Sequence, residues 1–305
     1  MTPTFEQVIK CYKIIALTER MKSGRPGTET VANAVRGLKQ VCTAAGIQLT
    51  ASVSELTRKR LDLALATFIG KGLSRLSAWS YICQLRAVFA KWSIPYYRDA
   101  GWEIPKLEMP SFRAKAPRYQ RPCVEMLGRV KAWYKTLKGE YWFAATMMLE
   151  FGMRNGDVLR LNKNNFVERE VEEFEANVGE TLQFMKHTQH YLSYTPHKTE
   201  LTSGRHVFWP IHQEIWEKYE EYGGIDCLDV TDEIFVDLNR QLRALGFHGH
   251  KASYELRKIC IDHVYQKFGV EMAVSLSGDD IKTISRYYAD PSQPNFGAMR
   301  IIDLL

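Results

Sequence analysis

The segment EFGMRNGDVLRL, residues 150–161, indicates how the second half of the chain is organised. Gly152 is the residue type that commonly ends a helix, and an apolar pattern with helical spacing begins again directly after it. Arg154 stands at the start of that second pattern, where a guanidinium and a helix N-terminus can together face a phosphate. The residues alone favour the alternative, a surface ion pair between Arg154 and Asp157.

Two further segments contribute one cation each. TPHKTELTSGRHV, residues 195–207, places Lys198 beside a predicted hairpin turn, where a lysine either reaches into a groove or stays solvated. ASYELRKICIDHVYQKFGV, residues 252–270, has the periodicity of an amphipathic helix, with Arg257 beside its predicted buried face. Arg257 therefore fits either a partly buried ion pair or a phosphate site.

The fourth segment, VSLSGDDIKTISRYYAD, residues 274–290, ends with the adjacent tyrosines Tyr287 and Tyr288. Neighbouring side chains on a helix point about 100° apart. One tyrosine can therefore pack in the core while the other is exposed, although the segment alone favours two packed aromatic side chains.

The first ninety or so residues have the apolar spacing of helices. The pattern predicts helices over residues 5–20, 28–45, 55–69 and around 82–92. Gly46 and Gly70 stand where two of these helices should end. A compact bundle of about four helices is the expected arrangement.

A proline-rich, basic stretch follows the bundle. Its prolines prevent a continuous helix over 93–122, and they are Pro95, Pro105, Pro110, Pro117 and Pro122. Its second half carries the cations Lys106, Arg113, Lys115, Arg118 and Arg121, with Phe112 and Tyr119 between them. This basic segment could contact a phosphate backbone, or it could be a linker that contacts only water.

The region after residue 123 returns to helical patterns around one strand-like region. Residues 183–209 predict a small sheet, and residues 166–182, with six glutamates, are interpreted as a solvated surface insertion. The predicted fold class is therefore mainly α with a small antiparallel β-sheet. The tail PNFGAMRIIDLL, residues 294–305, is apolar enough to fold back or to dock on a neighbour.

Composition sets broad limits on the function. The 305 residues suit two domains, and a net charge of +6 with a pI near 8.9 favours polyanionic partners. The absence of a long apolar run or secretion signal, and six cysteines without a CxxC pair, predict a protein of the reducing cytoplasm. His187, His190 and His197 suggest a metal site, but their strand-like spacing makes us expect none.

The order and spacing of the four segments resemble the catalytic domain of the tyrosine recombinases, the family of the phage integrases. GMRNGDVL matches the family motif of a first arginine and its acidic neighbour, HKT its hairpin lysine, and YELR its second arginine. GDDIKTISRY places a tyrosine at the family's spacing, nine positions after Gly278. The matched residues are Arg154, Asp157, Lys198, Arg257 and Tyr287. Two positions depart from the family, because histidine is replaced by Tyr254 at one and by Gly278 at the other.

This resemblance implies a reaction in which Tyr287 attacks a DNA phosphodiester and forms a 3′-phosphotyrosine. Arg154 and Arg257 would hold the phosphate, Lys198 would protonate the leaving oxygen, Asp157 would hold the first arginine, and Tyr254 would donate a hydrogen bond. Neither metal nor cofactor is expected. The alternatives are a DNA-binding protein of the same fold that cuts slowly or not at all, and type IB topoisomerase activity.

The resemblance also implies an organisation on DNA. Residues 1–104 would form a helical, DNA-clamping core-binding domain, residues 105–122 a basic linker, and residues 123–305 the catalytic domain with its tail. Arg86 and the five cations of the linker would contact double-stranded DNA. The protein would form homo-oligomers on DNA, with a tetramer at synapsis and the tail packed on the next protomer.

Overall fold

The computed structural model describes residues 1–24, 26–110, 119–178, 181–200, 204–249 and 251–288, with backbone alone for residues 173–178, 181–185 and 199. Contacts between Cα atoms divide the chain into two compact units, Met1–Pro117 and Arg118–Leu305. Three of the predicted DNA contacts, Arg113, Lys115 and Arg118, lie outside the described residues, as does the tail 294–305.

The first unit is a bundle of helices around one apolar core. Its helices are α1 (Phe5–Ser23), α2 (Thr28–Ala44), α3 (Arg58–Gly70), α4 (Arg75–Val88) and α5 (Ile94–Asp99). The first four of these helices confirm the helices that the apolar spacing predicts. A hydroxyl side chain accepts a backbone N–H bond at the start of α1, α3 and α4, which satisfies a donor that the first turn leaves unpaired. These caps are Thr4, Thr57 and Ser74.

Helices α2 and α4 pack closely because a glycine lies between them. A Cβ atom at Gly37 would stand 2.4 Å from the Cβ of Gln84, so no larger residue fits without a shift of one helix. Ile82 and Leu85 of α4 are buried in the core, whereas Arg86 on the same helix is exposed. The bundle therefore leaves Arg86 available to a partner.

The second unit joins helices to a small sheet. Its elements in chain order are α6 (Val124–Tyr134), α7 (Gly139–Leu149), α8 (Asn155–Val158), β1 (Phe166–Val178), β2 (Thr181–Tyr194), α9 (His197–Glu200), β3 (Val207–Pro210), α10 (Gln213–Glu221), α11 (Asp232–Ala244), α12 (Tyr254–Ser277) and α13 (Ile281–Tyr287). The sheet is antiparallel, with β2 between β1 and β3. The predicted fold class is confirmed.

The sheet extends further than predicted, because most of residues 166–182, interpreted as a solvated surface insertion, form a strand of it. Residues 166–178 form β1, which pairs along its whole length with β2. Glu168 and Glu172 lie opposite His190 and Lys186, and the bond from Lys186 Nζ to Glu172 is 2.9 Å long. Cross-strand partners of opposite charge allow an acidic strand to pair, which the count of glutamates alone does not reveal.

The core of the second unit surrounds α7, whose side chains are buried from Trp142 to Met148. Helix α12 packs against α7, β3 and α13 and bends at Gly269, where φ is 88° and ψ is 177°. The first half of α12 therefore lies against the turn that follows α7. None of the helices in the described ranges is long and apolar enough to cross a membrane.

Candidate active site

Arg154 is the N-cap residue of the short helix α8, where the chain leaves the turn at Gly152 in an extended conformation. Its side chain is 13% exposed. One terminal nitrogen, Nη2, donates to Oδ1 of Asp279, and the other, Nη1, lies 3.7 Å from Oδ2 of Asp157. The predicted pair of Arg154 and Asp157 is therefore present, but it is buried and is not a surface pair.

Arg257 is completely buried, deeper than its predicted place beside the apolar face of α12. Its Nη1 donates to the carbonyl of Gly152, and its Nη2 donates to the carbonyl of Ser277, at 3.3 Å, and to Oδ2 of Asp279. Burial disfavours its charge, but the neighbouring Tyr288, Tyr254 and Asp279 outweigh this and raise the pKa of Arg257. The guanidinium therefore stays charged in the core.

One carboxylate joins the two arginines. Asp279 accepts from Arg154 through one oxygen and from Arg257 through the other, and it is itself buried. Arg205 Nη1 donates to the backbone carbonyl of Asp279 at 2.6 Å, and the backbone N–H of Asp279 donates to Ser277 Oγ at 3.1 Å. Two guanidinium groups from distant parts of the sequence thus converge on a single anionic group.

Several buried polar atoms around this pair lack a hydrogen-bond partner among the described residues: Arg154 Nη1, Asp157 Oδ2 and the Tyr194 hydroxyl. The other oxygen of Asp157 accepts the backbone N–H of His197 at 3.0 Å, which ties α8 to the start of α9. Burial raises the pKa of Tyr194, so its hydroxyl keeps its proton and can donate. Buried polar atoms are normally paired, so these three mark a site with spare hydrogen-bonding capacity.

Two tyrosine hydroxyls complete the cluster of polar side chains around Arg154, Arg257 and Asp279, which we call the centre. Tyr254 begins α12, and its hydroxyl is hydrogen-bonded to that of Tyr288. Arg257 Nε donates to the Tyr288 hydroxyl at 3.3 Å, and its guanidinium carbon lies 5.2 Å from the Tyr288 ring centre. Burial raises the pKa of the Tyr288 phenol, which therefore remains protonated.

Of the two adjacent tyrosines one is buried and one is exposed, so they are not both packed in the core. Tyr288 is 3% exposed, and Tyr287, the last residue of α13, is 38% exposed, with the Arg286 guanidinium carbon 5.2 Å from its ring centre. Lys198 is also exposed. It lies on α9, within the connection between β2 and β3, where the sequence predicts a hairpin turn.

Gly278 ends α12 in the left-handed conformation, with φ at 66°. A Cβ atom there would lie 2.7 Å from Cγ of Pro196 and 3.6 Å from Cγ2 of Val207. Both the backbone and its neighbours therefore oppose a side chain at the position where the resembling family has histidine or tryptophan.

The predicted DNA contacts that the structure describes fall into two groups. Arg86 and Lys106 are exposed. Arg121, by contrast, pairs with Asp262 of α12 through a bond of 2.6 Å from Nε to Oδ2, and its side chain is only 13% exposed. Arg121 therefore holds the segment before α6 against α12.

The histidines that suggest a metal site serve other contacts. His190 stacks on Trp216 with ring centres 3.8 Å apart, and Nδ1 of His197 lies 3.3 Å from Glu200. Within the described part of the chain, no group of three His, Cys, Asp or Glu residues is placed to hold a metal ion.

Sequence reasoning missed three residues of the centre: Asp279, Arg205 and Tyr194. Asp279 directly follows the family's histidine position, but no motif in the sequence gives its carboxylate a role. Arg205 and Tyr194 belong to segments read only as strand edges, and nothing in their local spacing sets them apart. Their place in the centre comes from the pairing of β2 with β3, which brings Tyr194 opposite Val207.

Comparisons with known proteins bear on the fold. No protein-family model matches the sequence, and no curated protein matches it. Among solved structures, a lambda integrase tetramer bound to a Holliday junction aligns with a TM-score of 0.64 and 14% identity, over 98% of this chain and 81% of that one. A dimer of lambda integrase (75–356) bound to a COC′ core site aligns with a TM-score of 0.61 and 14% identity, over 99% of this chain and 100% of that one.

The Tn1549 transposon integrase, in complex with transposon right end DNA, aligns with a TM-score of 0.52 and 12% identity, over 93% of each chain. At such low identities the agreement concerns the fold and not the reaction. It extends over nearly the whole length of the chain. The chain therefore has the fold of the tyrosine recombinases.

Proposed function

We propose that the protein is a site-specific recombinase that cuts and rejoins double-stranded DNA through a phosphotyrosine. The observation that carries the proposal is the convergence of Arg154 and Arg257 on one anionic group. Paired guanidinium groups match the oxygens of a phosphate as well as those of a carboxylate. A buried pair of this kind can stabilise the charge of a pentacovalent transition state.

In this proposal the Tyr287 oxygen attacks the phosphorus atom and the 5′-oxygen of the neighbouring nucleotide leaves. The bond from Tyr287 to phosphorus replaces the broken bond, and attack by a 5′-hydroxyl reverses the step. Tyr287 is favoured over Tyr288 because it is exposed, whereas the Tyr288 hydroxyl is engaged with Arg257 and Tyr254. Lys198, exposed on α9, would donate the proton to the leaving oxygen.

Tyr254 and Asp157 act through the arginines. Tyr254 donates to or accepts from Tyr288, which contacts Arg257, so it supports the second arginine where the family has a histidine. Asp157 lies beside Arg154 and anchors α9 through the N–H of His197. No step requires a metal ion or a nucleotide, because cleavage and rejoining exchange one phosphodiester bond for another.

The proposed partner is double-stranded DNA, with further copies of the chain assembling on it. Exposed Arg86 and Lys106, together with the net charge of +6, support phosphate contact. A related lambda integrase structure is a tetramer on a Holliday junction, which supports a tetramer at synapsis for this chain. Packing of residues 294–305 on a neighbouring copy is part of the same proposal.

The test begins with selection of bound duplexes from a library of randomised DNA. The selected sequence is then prepared with a nick near the cleavage position, so that a cut fragment diffuses away and the covalent protein–DNA adduct accumulates. We expect an adduct with the wild type and with Tyr288→Phe, and none with Tyr287→Phe. An adduct that persists in Tyr287→Phe and disappears in Tyr288→Phe would assign the nucleophile to Tyr288.

A second candidate, a DNA-binding protein that does not cut, is favoured by one observation. The left-handed Gly278 leaves no room for the side chain that assists catalysis in the family. Selection of a specific DNA sequence with no adduct from any variant would support this candidate. Relaxation of supercoiled plasmid without site preference would instead indicate topoisomerase activity.

A further inference from the structure

The Asp279 carboxylate lies where the proposed function requires a phosphate. Arg154 directs Nη2 at one of its oxygens, and Arg257 directs Nη2 at the other. A phosphate held by both arginines would need Nη2 of Arg257, because the other two nitrogens of that guanidinium bond Tyr288 and Gly152. The carboxylate and a phosphate therefore cannot occupy the pair together.

Formal charges lead to the same conclusion. Arg154 and Arg257 contribute two positive charges, and Asp157 and Asp279 contribute two negative charges, so these four largely buried side chains are neutral together. Arg205 adds a positive charge beside the backbone of Asp279, but it is exposed, so water screens that charge. Departure of the Asp279 carboxylate leaves the two buried arginines with one buried carboxylate, a balance that favours an entering phosphodiester.

The centre also holds donors that its own residues do not use. Arg154 Nη1 and the Tyr194 hydroxyl are buried and have no hydrogen-bond partner among the described residues. Arg205 Nη1 and Ser277 Oγ are hydrogen-bonded to the backbone of Asp279. Rotation of the Asp279 side chain can therefore free the arginines while the turn after α12 stays in place.

We propose that Asp279 is a built-in competitor of the scissile phosphate, whose carboxylate fills the arginine pair in the free protein and must leave before DNA binds there. The inference rests on the proposed function, which assigns the phosphate to Arg154 and Arg257. Its consequence is a site that rejects phosphate groups until other contacts with DNA offset the loss of the internal ion pairs. Asp279 thus sets how much binding free energy the other DNA contacts must supply before the phosphate can bind the arginine pair.

The test measures inorganic phosphate binding to the full chain without DNA, by isothermal titration at constant ionic strength. Asp279→Asn removes the charge and keeps the size of the side chain. Its matched control is Asp280→Asn, because Asp280 is exposed and caps α13, where asparagine caps equally well. We expect Asp279→Asn to bind phosphate at least about tenfold more tightly than wild type, about 1.4 kcal/mol, and Asp280→Asn to match wild type.

Addition of Arg154→Gln to Asp279→Asn should abolish the gain, which locates the phosphate at the arginine pair. Equal affinities in folded wild type and Asp279→Asn would overturn the proposal, as would a gain that survives Arg154→Gln. If Asp279→Asn does not fold, Asp279→Ser takes its place, and failure of both to fold would make the carboxylate a structural requirement and reject the proposal. Because no DNA is present, these outcomes are independent of whether the protein cuts DNA.

Discussion

At the scale of single residues, the centre depends on a few side chains that each make several contacts. Arg257 bonds two carbonyls, a carboxylate and a phenol, and it has no exposed surface. Such a buried charge is tolerated because every contact offsets part of its desolvation. The same contacts fix the orientation of its guanidinium, which is what a phosphate site needs before substrate arrives.

Gly278 offers a prediction about the family's missing histidine. Gly278→His should reduce stability and should not increase cleavage. The left-handed backbone costs a side chain about 1–2 kcal/mol, and the contact with Pro196 adds an overpacking cost of about 1–3 kcal/mol. The change in the free energy of unfolding, measured in urea, checks this.

The control for this substitution is Gly139→His. Gly139 also has a positive φ, 53°, but nothing lies within 4 Å of its Cβ position. Gly139→His should therefore show the backbone cost alone. A Gly278→His protein as stable as the wild type, or more active, would contradict the account of this position.

The sequence predicts some residues of the centre better than others. Arg154, Asp157 and Arg257 were found because their motifs occur in a fixed order, and the structure brings them together. The bridging role of Asp279 could not be predicted, because it depends on the two arginines meeting across α8 and α12. Spacing selects Tyr287, but it does not predict that the hydroxyl of the adjacent Tyr288 bonds Arg257.

At the scale of elements, ion pairs differ in what they stabilise. Arg121 and Asp262 join the segment before α6 to α12, and both side chains are largely buried. Glu172 and Lys186 join β1 to β2, and both are more than half exposed. Exposed pairs contribute little to stability, whereas removal of one partner from a buried pair leaves a buried charge.

We predict that Arg121→Ala lowers the free energy of unfolding by about 3–5 kcal/mol, because the buried Asp262 carboxylate loses its ion pair with the Arg121 guanidinium. The matched control is Arg86→Ala, at an exposed position on α4. It should change stability by less than about 0.5 kcal/mol. Urea unfolding of both variants checks the difference, and an Arg121→Ala protein of unchanged stability would show that this pair does not anchor the segment.

Strand β1 shows why elements are harder to predict than single motifs. Its first half alternates Glu168, Glu170 and Glu172 with other residues, which is the period of a strand. The high charge of the segment concealed this pattern, because charged runs usually indicate a solvated surface. The helices were predicted well, since their apolar spacing follows directly from burial on one side.

At the scale of the whole molecule, the two units have separate apolar cores, and each contains a buried cysteine. Cys42 belongs to the first unit and Cys260 to the second, and burial raises the pKa of both thiols to about 12. At pH 8 only about one thiol in ten thousand would then be the reactive thiolate. The exposed cysteines are Cys83, Cys123 and Cys227.

We therefore predict that iodoacetamide at pH 8 modifies Cys123 and Cys227 in the native protein and leaves Cys42 and Cys260 unmodified. Peptide mass spectrometry at increasing urea concentration should detect Cys42 when the first unit opens and Cys260 when the second does. The exposed cysteines are the internal control for reagent activity. Rapid modification of Cys260 in the native protein would mean that the core beside Arg257 is open.

The account as a whole is tested most directly by locating the nucleotide on the protein after reaction with nicked DNA. Nuclease treatment followed by trypsin should release the peptide that begins at Tyr287, after cleavage at Arg286. The account predicts a nucleotide attached to the Tyr287 oxygen, and its absence when Arg154 or Arg257 is changed to alanine in a folded protein. A nucleotide on any other residue, or none on a protein that binds the same DNA specifically, would contradict it.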